Sequence, residues 1–295
     1  MEISRKEYKH ILPFDHDMRV IDQFGFIPLS VIEPTKHKKD LWKKIAYIDD
    51  DIEETKRSSS AEYLPGLKFS EFHAELAEII IKYWSMQGSV IVDPFAGRAT
   101  RAVVSGTLKR KYYGYEISKM TYDRVNVHLK KHNIQNATVY NDDGLIMKNT
   151  KAGFADLIMT CPPYHTLEKY EDCIGQLSSI KTYEKFLSRI DTCISNIYRV
   201  LKEGAFCAWV CADWRDGGEF KSFSSDTIQL FKNNGLIHYD TIIIKNVSPF
   251  AALQMDKVAS KRYSSKVHEY LLVFKKPGEY DCSWYKKEDE FNKFF

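Results

Sequence analysis

Ser89-Val90-Ile91-Val92-Asp93-Pro94-Phe95-Ala96-Gly97-Arg98-Ala99-Thr100 is a short apolar run that stops at an Asp-Pro pair and turns through Ala-Gly. The run is too short for a helix and is closed by Pro and Gly, so it reads as a buried strand followed by a strand-to-helix turn. Upstream, Phe72, Leu76, Ile79, Ile80 and Tyr83 recur at helical spacing and predict a helix leading into that strand. Downstream, the pattern predicts a helix at 100–108, a strand at 112–116, a helix at 120–132, a strand at 138–140 and a buried strand at 155–160. Strands alternating with helices in this way argue for an α/β fold with a parallel sheet and crossover helices.

Farther out, residues 183–201 are strongly amphipathic through Phe186, Leu187, Ile190, Ile194, Ile197, Val200 and Leu201, and Lys202-Glu203-Gly204 reads as a helix stop. A buried strand at 205–212, a helix at 225–233 and strands at 239–244 and 270–274 complete the pattern. The first 60 or so residues mix aromatic clusters with charge and do not resemble the start of such a sheet, and the polar run 49–60 marks a soft boundary. The expected organisation is an N-terminal extension at 1–62, a catalytic domain at 63–278 and a C-terminal tail at 279–295.

With 295 residues, 44% of them hydrophobic, the chain buries a substantial core, which excludes global disorder. The 43 basic and 40 acidic residues leave a net charge of only +3, so nucleic-acid affinity must come from local patches. The six cysteines form no CxxC pair; no metal site is expected, and scattered reduced thiols fit a cytoplasmic protein. No uncharged run reaches the roughly 18 residues of a membrane span, and the charged N-terminus lacks an apolar signal core. The expectation is a protein with no membrane partner; the oligomeric state stays open.

Ligands of open parallel sheets sit beyond the carboxyl ends of strands, where the 93–100 turn lies and where Gly97 lets the backbone approach a ligand. Gly97 stands alone and no Gly-Lys-Ser/Thr follows, which favours a nucleoside-type ligand over one carrying a pyrophosphate. Glu116 ends the next strand about 20 residues on, placed to accept from both hydroxyls of a ribose, with an ordinary surface carboxylate at a strand end as the alternative. Asp142 and Asp143 end the third strand, where one acid suits the amino group of an adenine ring and an ordinary Asx turn is the alternative.

Thr160-Cys161-Pro162-Pro163-Tyr164 closes the fourth strand. Two consecutive prolines cannot continue a ladder, so the backbone turns out at the carboxyl edge with carbonyl oxygens available as acceptors.

Together these segments resemble the amino-methyltransferases that modify DNA at adenine N6 or cytosine N4. The likeness rests on Asp93-Pro94-Phe95-Ala96-Gly97, on Thr160-Cys161-Pro162-Pro163-Tyr164, on Phe72-His73-Ala74-Glu75-Leu76 before the first strand, and on the closing 266–274 segment. In finer detail the chain looks like the phage-type DNA modification methylases, through Leu167-Glu168-Lys169-Tyr170 after the catalytic loop and the segment 24–31. The resemblance implies a Rossmann-like fold with a mostly parallel seven-stranded sheet and helices on both faces. It implies S-adenosylmethionine as cofactor, DNA as partner and a possible restriction-modification setting. It assigns Cys161, Pro162, Pro163 and Tyr164 to catalysis, and His73, Asp93, Phe95, Ala96, Gly97, Thr100, Glu116, Asp142, Asp143 and Thr160 to the cofactor. Acceptors that hold the hydrogens of a base amine stabilise the positive charge developing as it attacks a methyl sulfonium. Tyr164 offers a ring for a flipped base to stack on.

Two departures bear on specificity. Family members usually carry Asp, Asn or Ser where this chain has Cys161, a weaker acceptor closest in size to Ser, which leaves the target base open. Arg98 and Ala99 replace the small residues usual after Gly97. Target recognition is expected in small insertions near 165–181 and 245–268, with Lys257, Lys261, Arg262, Tyr263 and Lys266 as DNA contacts. An RNA base-amine methyltransferase and a catalytically inactive cofactor-binding or DNA-binding subunit are the competing readings.

Overall fold

The computed structural model describes residues 29–34, 72–165, 174–245 and 259–279. The sheet has eight strands in the order β1-β9-β10-β6-β5-β2-β3-β4. These are β1 (Val31–Ile32), β2 (Val90–Asp93), β3 (Lys111–Tyr115), β4 (Ala137–Tyr140), β5 (Ala155–Thr160), β6 (Leu201–Cys211), β9 (Ile237–Lys245) and β10 (His268–Lys275). β10 runs antiparallel to both β6 and β9, and every other pairing in the sheet is parallel. From β2 the chain adds β3 and β4 on one side and then returns to place β5 on the other. The carboxyl ends of β2 and β5 therefore flank the topological switch point, where open α/β sheets bind ligands.

Alternation along the strands divides the core into two layers. Ile91, Leu157, Phe206, Ala208, Val210, Leu271 and Val273 face one side, while Val92, Ile158, Cys207, Trp209, Cys211, Leu272 and Phe274 face the other. Side chains alternate along a strand with period two, so a sheet covered on both faces reads as a continuous apolar run. The first layer is covered by α1 (Ala74–Trp84), through Leu76, Ala77, Ile80, Ile81 and Trp84, and by α2 (Thr100–Thr107). α3 (Lys119–Lys131) adds Val125 and Leu129 to this layer, and Ser118 caps it by accepting from Thr121 N–H at 3.1 Å. The second layer is covered by α4 (Tyr183–Val200), whose Phe186, Ile190, Cys193, Ile194 and Ile197 form one buried stripe. α5 (Phe223–Asn233) adds Phe231, stacked on Phe274 with centroids 3.8 Å apart.

Three details differ from the sequence reading. The sheet has eight strands rather than seven, because Val31 and Ile32, within the segment read as an extension, pair with Ile243 and Ile244 at the edge. β6 begins at Leu201, not 205, because Gly204 takes φ +73° and the register against β5 shifts there, so the strand absorbs Lys202-Glu203-Gly204 as an irregularity. A separate hairpin of β7 (Trp214–Asp216) and β8 (Glu219–Lys221) follows β6, joined by Gly217 and Gly218, both with positive φ. That geometry suits a two-residue hairpin turn.

Gly144, after β4, locks two of the loops together, since a Cβ there would stand 1.7 Å from the Pro94 carbonyl oxygen. Neither backbone yields without moving the turn after β2. We expect Gly144→Ala to destabilise the fold by about 3 kcal/mol, measured by chemical denaturation; a loss below about 1 kcal/mol would show that the loops are not tightly apposed.

Candidate active site

Loops 94–99, 116–118, 141–144 and 161–165 leave the carboxyl ends of β2, β3, β4 and β5 side by side. Their anchor is Asp93, the last residue of β2, whose side chain is fully buried. Its Oδ1 accepts from the Thr160 hydroxyl at 2.6 Å and from Phe95 N–H at 3.0 Å. Its Oδ2 accepts from Arg101 Nε at 2.6 Å and from the Tyr112 hydroxyl at 2.7 Å. Arg101 also donates to the carbonyl oxygens of Phe95 and Ala96 and lies 4.7 Å from the centre of the Phe72 ring. Burial works against the Arg101 charge, but Asp93, Tyr112 and Cys161 beside it hold the guanidinium pKa above its ordinary value. Burial first, and Asp93 second, push the Tyr112 phenol well up, so it stays a neutral donor.

Above this buried layer lies a partly exposed one, made of Phe95, Gly97, Arg98, Glu116, Asp142, Asp143 and Cys161. Gly97 takes φ +54°, which favours glycine, and a Cβ there would make ordinary van der Waals contact with the Phe95 carbonyl oxygen at 3.7 Å and with Arg101 at 3.9 Å. Glu116 accepts from Gly97 N–H at 3.0 Å and Ser118 N–H at 2.8 Å, one bond to each oxygen. Burial raises its pKa to about 7 against the pull of those two N–H groups. The Asn141 amide ties the next loop down by donating to the carbonyls of Glu116 and Ile117 at 2.8 and 3.2 Å.

The remaining expected residues sort by what their groups already do. Ala96 is buried and its N–H donates to the Tyr115 carbonyl at 2.8 Å, while Thr100 is buried at the start of α2. Asp142 accepts from Asp143 N–H, Asn149 and Lys148, so both its oxygens are held. Asp143 caps Leu145 N–H at 2.8 Å and meets Arg189 at a longer 3.4 Å, leaving it the more available of the two acids. His73 precedes α1, next to the Phe72 ring that covers Arg101.

Several expected residues lie deeper than the sequence reading placed them. The carboxylate of Asp93 and the hydroxyl of Thr160 are fully buried and hydrogen-bonded to each other. Tyr164 does not present an open ring: it is 7% exposed and packs into the second core layer, 6.4 Å from the Trp214 ring. Pro162 and Pro163 are buried with it, so Cys161 is the partly exposed member of the 161–164 tetrapeptide. Among the described residues the Pro162 carbonyl accepts from nothing stronger than the Cys161 thiol at 4.0 Å, and that sulfur lies 3.6 Å from the Tyr164 hydroxyl. Beyond the loop, Lys261, Arg262 and Lys266 are exposed and Tyr263 is half-buried. Lys257, the 36–44 basic run and the 24–28 and 167–170 segments lie outside the described residues. The sequence reading missed Arg101, for which eight residues of separation from Asp93 across a turn carry no periodic signal. It also missed the hairpin, which Gly217-Gly218 between two short aromatic segments does signal.

A family model described as DNA methylase matches residues 5–126 and 155–294. The chain belongs to the DNA methylase family. The orphan methyltransferase M.BamHII of Bacillus amyloliquefaciens is 43% identical over 61 residues, which cover 21% of this chain and 23% of that protein. The match thus spans about a quarter of that relative's length. Among solved structures, the cyclase SpnF is 11% identical with a TM-score of 0.52, over 84% of this chain and 98% of that one. TrmN from Thermus thermophilus is 13% identical with a TM-score of 0.48, over 70% and 49%. The likeness to SpnF shows the fold alone. No helix among the described residues is long and apolar enough to cross a membrane.

The methyl donor of the methylase is S-adenosylmethionine, and the partly exposed layer fits it: the positive-φ turn at Gly97 stands beside the Glu116 carboxylate, which keeps lone pairs beyond its two backbone hydrogen bonds. Two outcomes are expected. Arg101→Met leaves the Asp93 charge buried without its cation and should cost roughly 3–5 kcal/mol of stability, read from denaturant unfolding; wild-type stability would show that the pair is dispensable. If Glu116 accepts ligand hydroxyls, the ionised form binds. Its proton, held up to about 7, is then released on binding below that pH. Affinity for S-adenosylmethionine rises by up to about tenfold per pH unit toward pH 7 and levels off above it. Calorimetry across pH checks this, and Glu116→Gln should flatten that component; an unchanged profile in the variant would remove Glu116 from the site.

Proposed function

We propose that this methylase transfers a methyl group from S-adenosylmethionine to the exocyclic amine of a DNA base, adenine N6 or cytosine N4. The observation that carries the reading is the shared carboxylate of Asp93, which holds the turn bearing Phe95 and Gly97 and the strand end bearing Cys161 to one another. When bound, S-adenosylmethionine supplies an electrophilic methyl group. The chain supplies the rest. Glu116 binds ribose hydroxyls, Asp143 the adenine ring, and Gly97 gives close backbone approach, with Phe95 as an apolar wall. At Cys161-Pro162 the chain leaves β5, and among the described residues the Pro162 carbonyl oxygen has only a weak thiol partner. That oxygen takes up hydrogens of the target amine and favours the charge that develops on its nitrogen. Tyr164 braces this turn from below through its hydroxyl and its packing on Trp214.

Cys161 supports both target bases. It is close to serine in size, and its sulfur is a poor acceptor, so the backbone oxygen bears more of the work than in members with Asp or Asn at this place. Nucleoside mass spectrometry of DNA from cells expressing the protein should show N6-methyladenine or N4-methylcytosine, absent from cells expressing Pro162→Ala. Detection of neither, with the protein folded and binding S-adenosylmethionine, would overturn the reading. Methylated base amines in RNA instead would move the substrate to that polymer. Cys161→Ser is expected to retain activity within about tenfold, because the main acceptor is backbone; complete loss would place the thiol itself in the chemistry.

A further inference from the structure

The β7–β8 hairpin contributes nothing to the eight-stranded sheet, yet its base is fixed to the catalytic loop. Trp214, its first residue, is 5% exposed and packs 6.4 Å from Tyr164, 5.8 Å from Tyr183 and 5.5 Å from Phe223. One residue on, Arg215 pairs across the hairpin with Phe220. Its guanidinium carbon stands 5.2 Å from the Phe220 ring centre and 4.9 Å from that of Tyr263, which belongs to a different segment. The base of that second segment is also tied in, since Lys266 donates to the Asp213 carbonyl at 2.6 Å. Phe220 nevertheless remains 49% exposed, and Arg215 is exposed as well.

Three properties of this arrangement converge. A guanidinium held within cation–π distance of two aromatic rings keeps its charge and its planar fork of N–H donors, which matches phosphate oxygens or base edges. Among the described residues Arg215 makes one hydrogen bond, a long 3.4 Å contact to the Gly218 carbonyl, so its donors are largely unspent on them. On the hairpin itself Arg215 and Lys221 are balanced by Asp216 and Glu219, and Lys266 stands beside Glu269 and Asp213, so the excess positive charge of the face is that of Lys261 and Arg262. An exposed aromatic ring beside cations, next to the loop that receives a base, is a stacking platform within an electrostatic footprint.

We propose that the β7–β8 hairpin and residues 261–266 form the duplex-DNA contact face of the enzyme, with Arg215 as a backbone or base-edge contact and Phe220 stacking on bases beside the extruded one. This rests on the reading of the chain as a DNA base-amine methyltransferase. The hairpin's attachment through Trp214 to Tyr164 sets the distance between this face and the catalytic loop, so duplex engagement and base capture are coupled through one packed ring pair.

The test uses the full chain and unmethylated plasmid DNA, with tritiated methyl incorporation as readout. Arg215→Ala and Phe220→Ala should each raise KM for DNA about tenfold, leave kcat within about twofold and leave S-adenosylmethionine affinity unchanged. Arg215→Ala should also lower the salt dependence of binding by about one counterion, and Arg215→Lys should recover less than half of the lost affinity, because an ammonium cannot stack as a plane. Hydrogen exchange on the wild-type chain supplies a reading without variants: amides of 214–221 should gain protection when a random-sequence 30-base-pair duplex is added at saturation. Normal methylation of plasmid DNA with wild-type KM in both alanine variants, or no protection of the hairpin, overturns this proposal alone. If the wild-type chain transfers no methyl group to plasmid DNA, the base-amine reading falls and this one with it.

Discussion

Asp93 collects a hydroxyl from β5, a phenol from β3, a backbone N–H from its own turn and a guanidinium from α2 on one carboxylate with no exposure to water. A buried charge is tolerated only when paired and hydrogen-bonded, and here the partners come from the elements that must meet for a site to exist. The turn after β2, the end of β5 and the start of α2 are thereby held as one unit. Arg101 extends the unit through the Phe95 and Ala96 carbonyls and, by stacking, to Phe72 ahead of α1. Breaking any one partner leaves the others facing an unsatisfied charge, which is why the arrangement is cooperative rather than a set of separate contacts.

This constraint separates support from contact. Asp93, Thr160, Tyr112 and Arg101 are buried and spent on each other, while Phe95, Gly97, Glu116 and Cys161 above them stay partly exposed. Glu116 stands at the boundary: enough water is excluded to raise its pKa to about 7, yet backbone N–H groups from the turn after β2 and from its own loop keep it oriented. The 161–164 tetrapeptide shows the same division, with Cys161 partly exposed and Tyr164 buried against Trp214. Through Trp214 the bracing continues into the hairpin that carries Arg215 and Phe220, so the methylase's chemistry and its surface are joined by aromatic packing rather than by a flexible linker.

The layers, most strand positions and the switch-point location of the site were legible in the chain because each depends on local periodicity. Ile91 and Val92 sit on opposite faces of the sheet, as a run apolar on both sides requires, and the α4 stripe repeats every three or four residues. Asp-Pro and Cys-Pro-Pro mark strand ends because proline cannot donate to a ladder. What the local pattern cannot encode is which of two neighbouring polar groups turns inward. Asp93 and Thr160 were read as ligand contacts, and the fold instead spends them on each other across 67 residues of chain. Tyr164 was read as an open ring, and packing with Trp214 buries it.

The amino-acid sequence by itself determined an α/β sheet with its functional turns at the carboxyl ends of β2 and β5, because hydrophobic period and proline geometry act over a few residues. Only the tertiary structure decided that Arg101 neutralises Asp93, that β1 joins the sheet edge and that Arg215 comes within cation–π distance of both Phe220 and Tyr263. Those outcomes depend on long-range burial, where desolvation selects among many chemically plausible partners the ones that the packed chain brings within hydrogen-bonding or stacking distance.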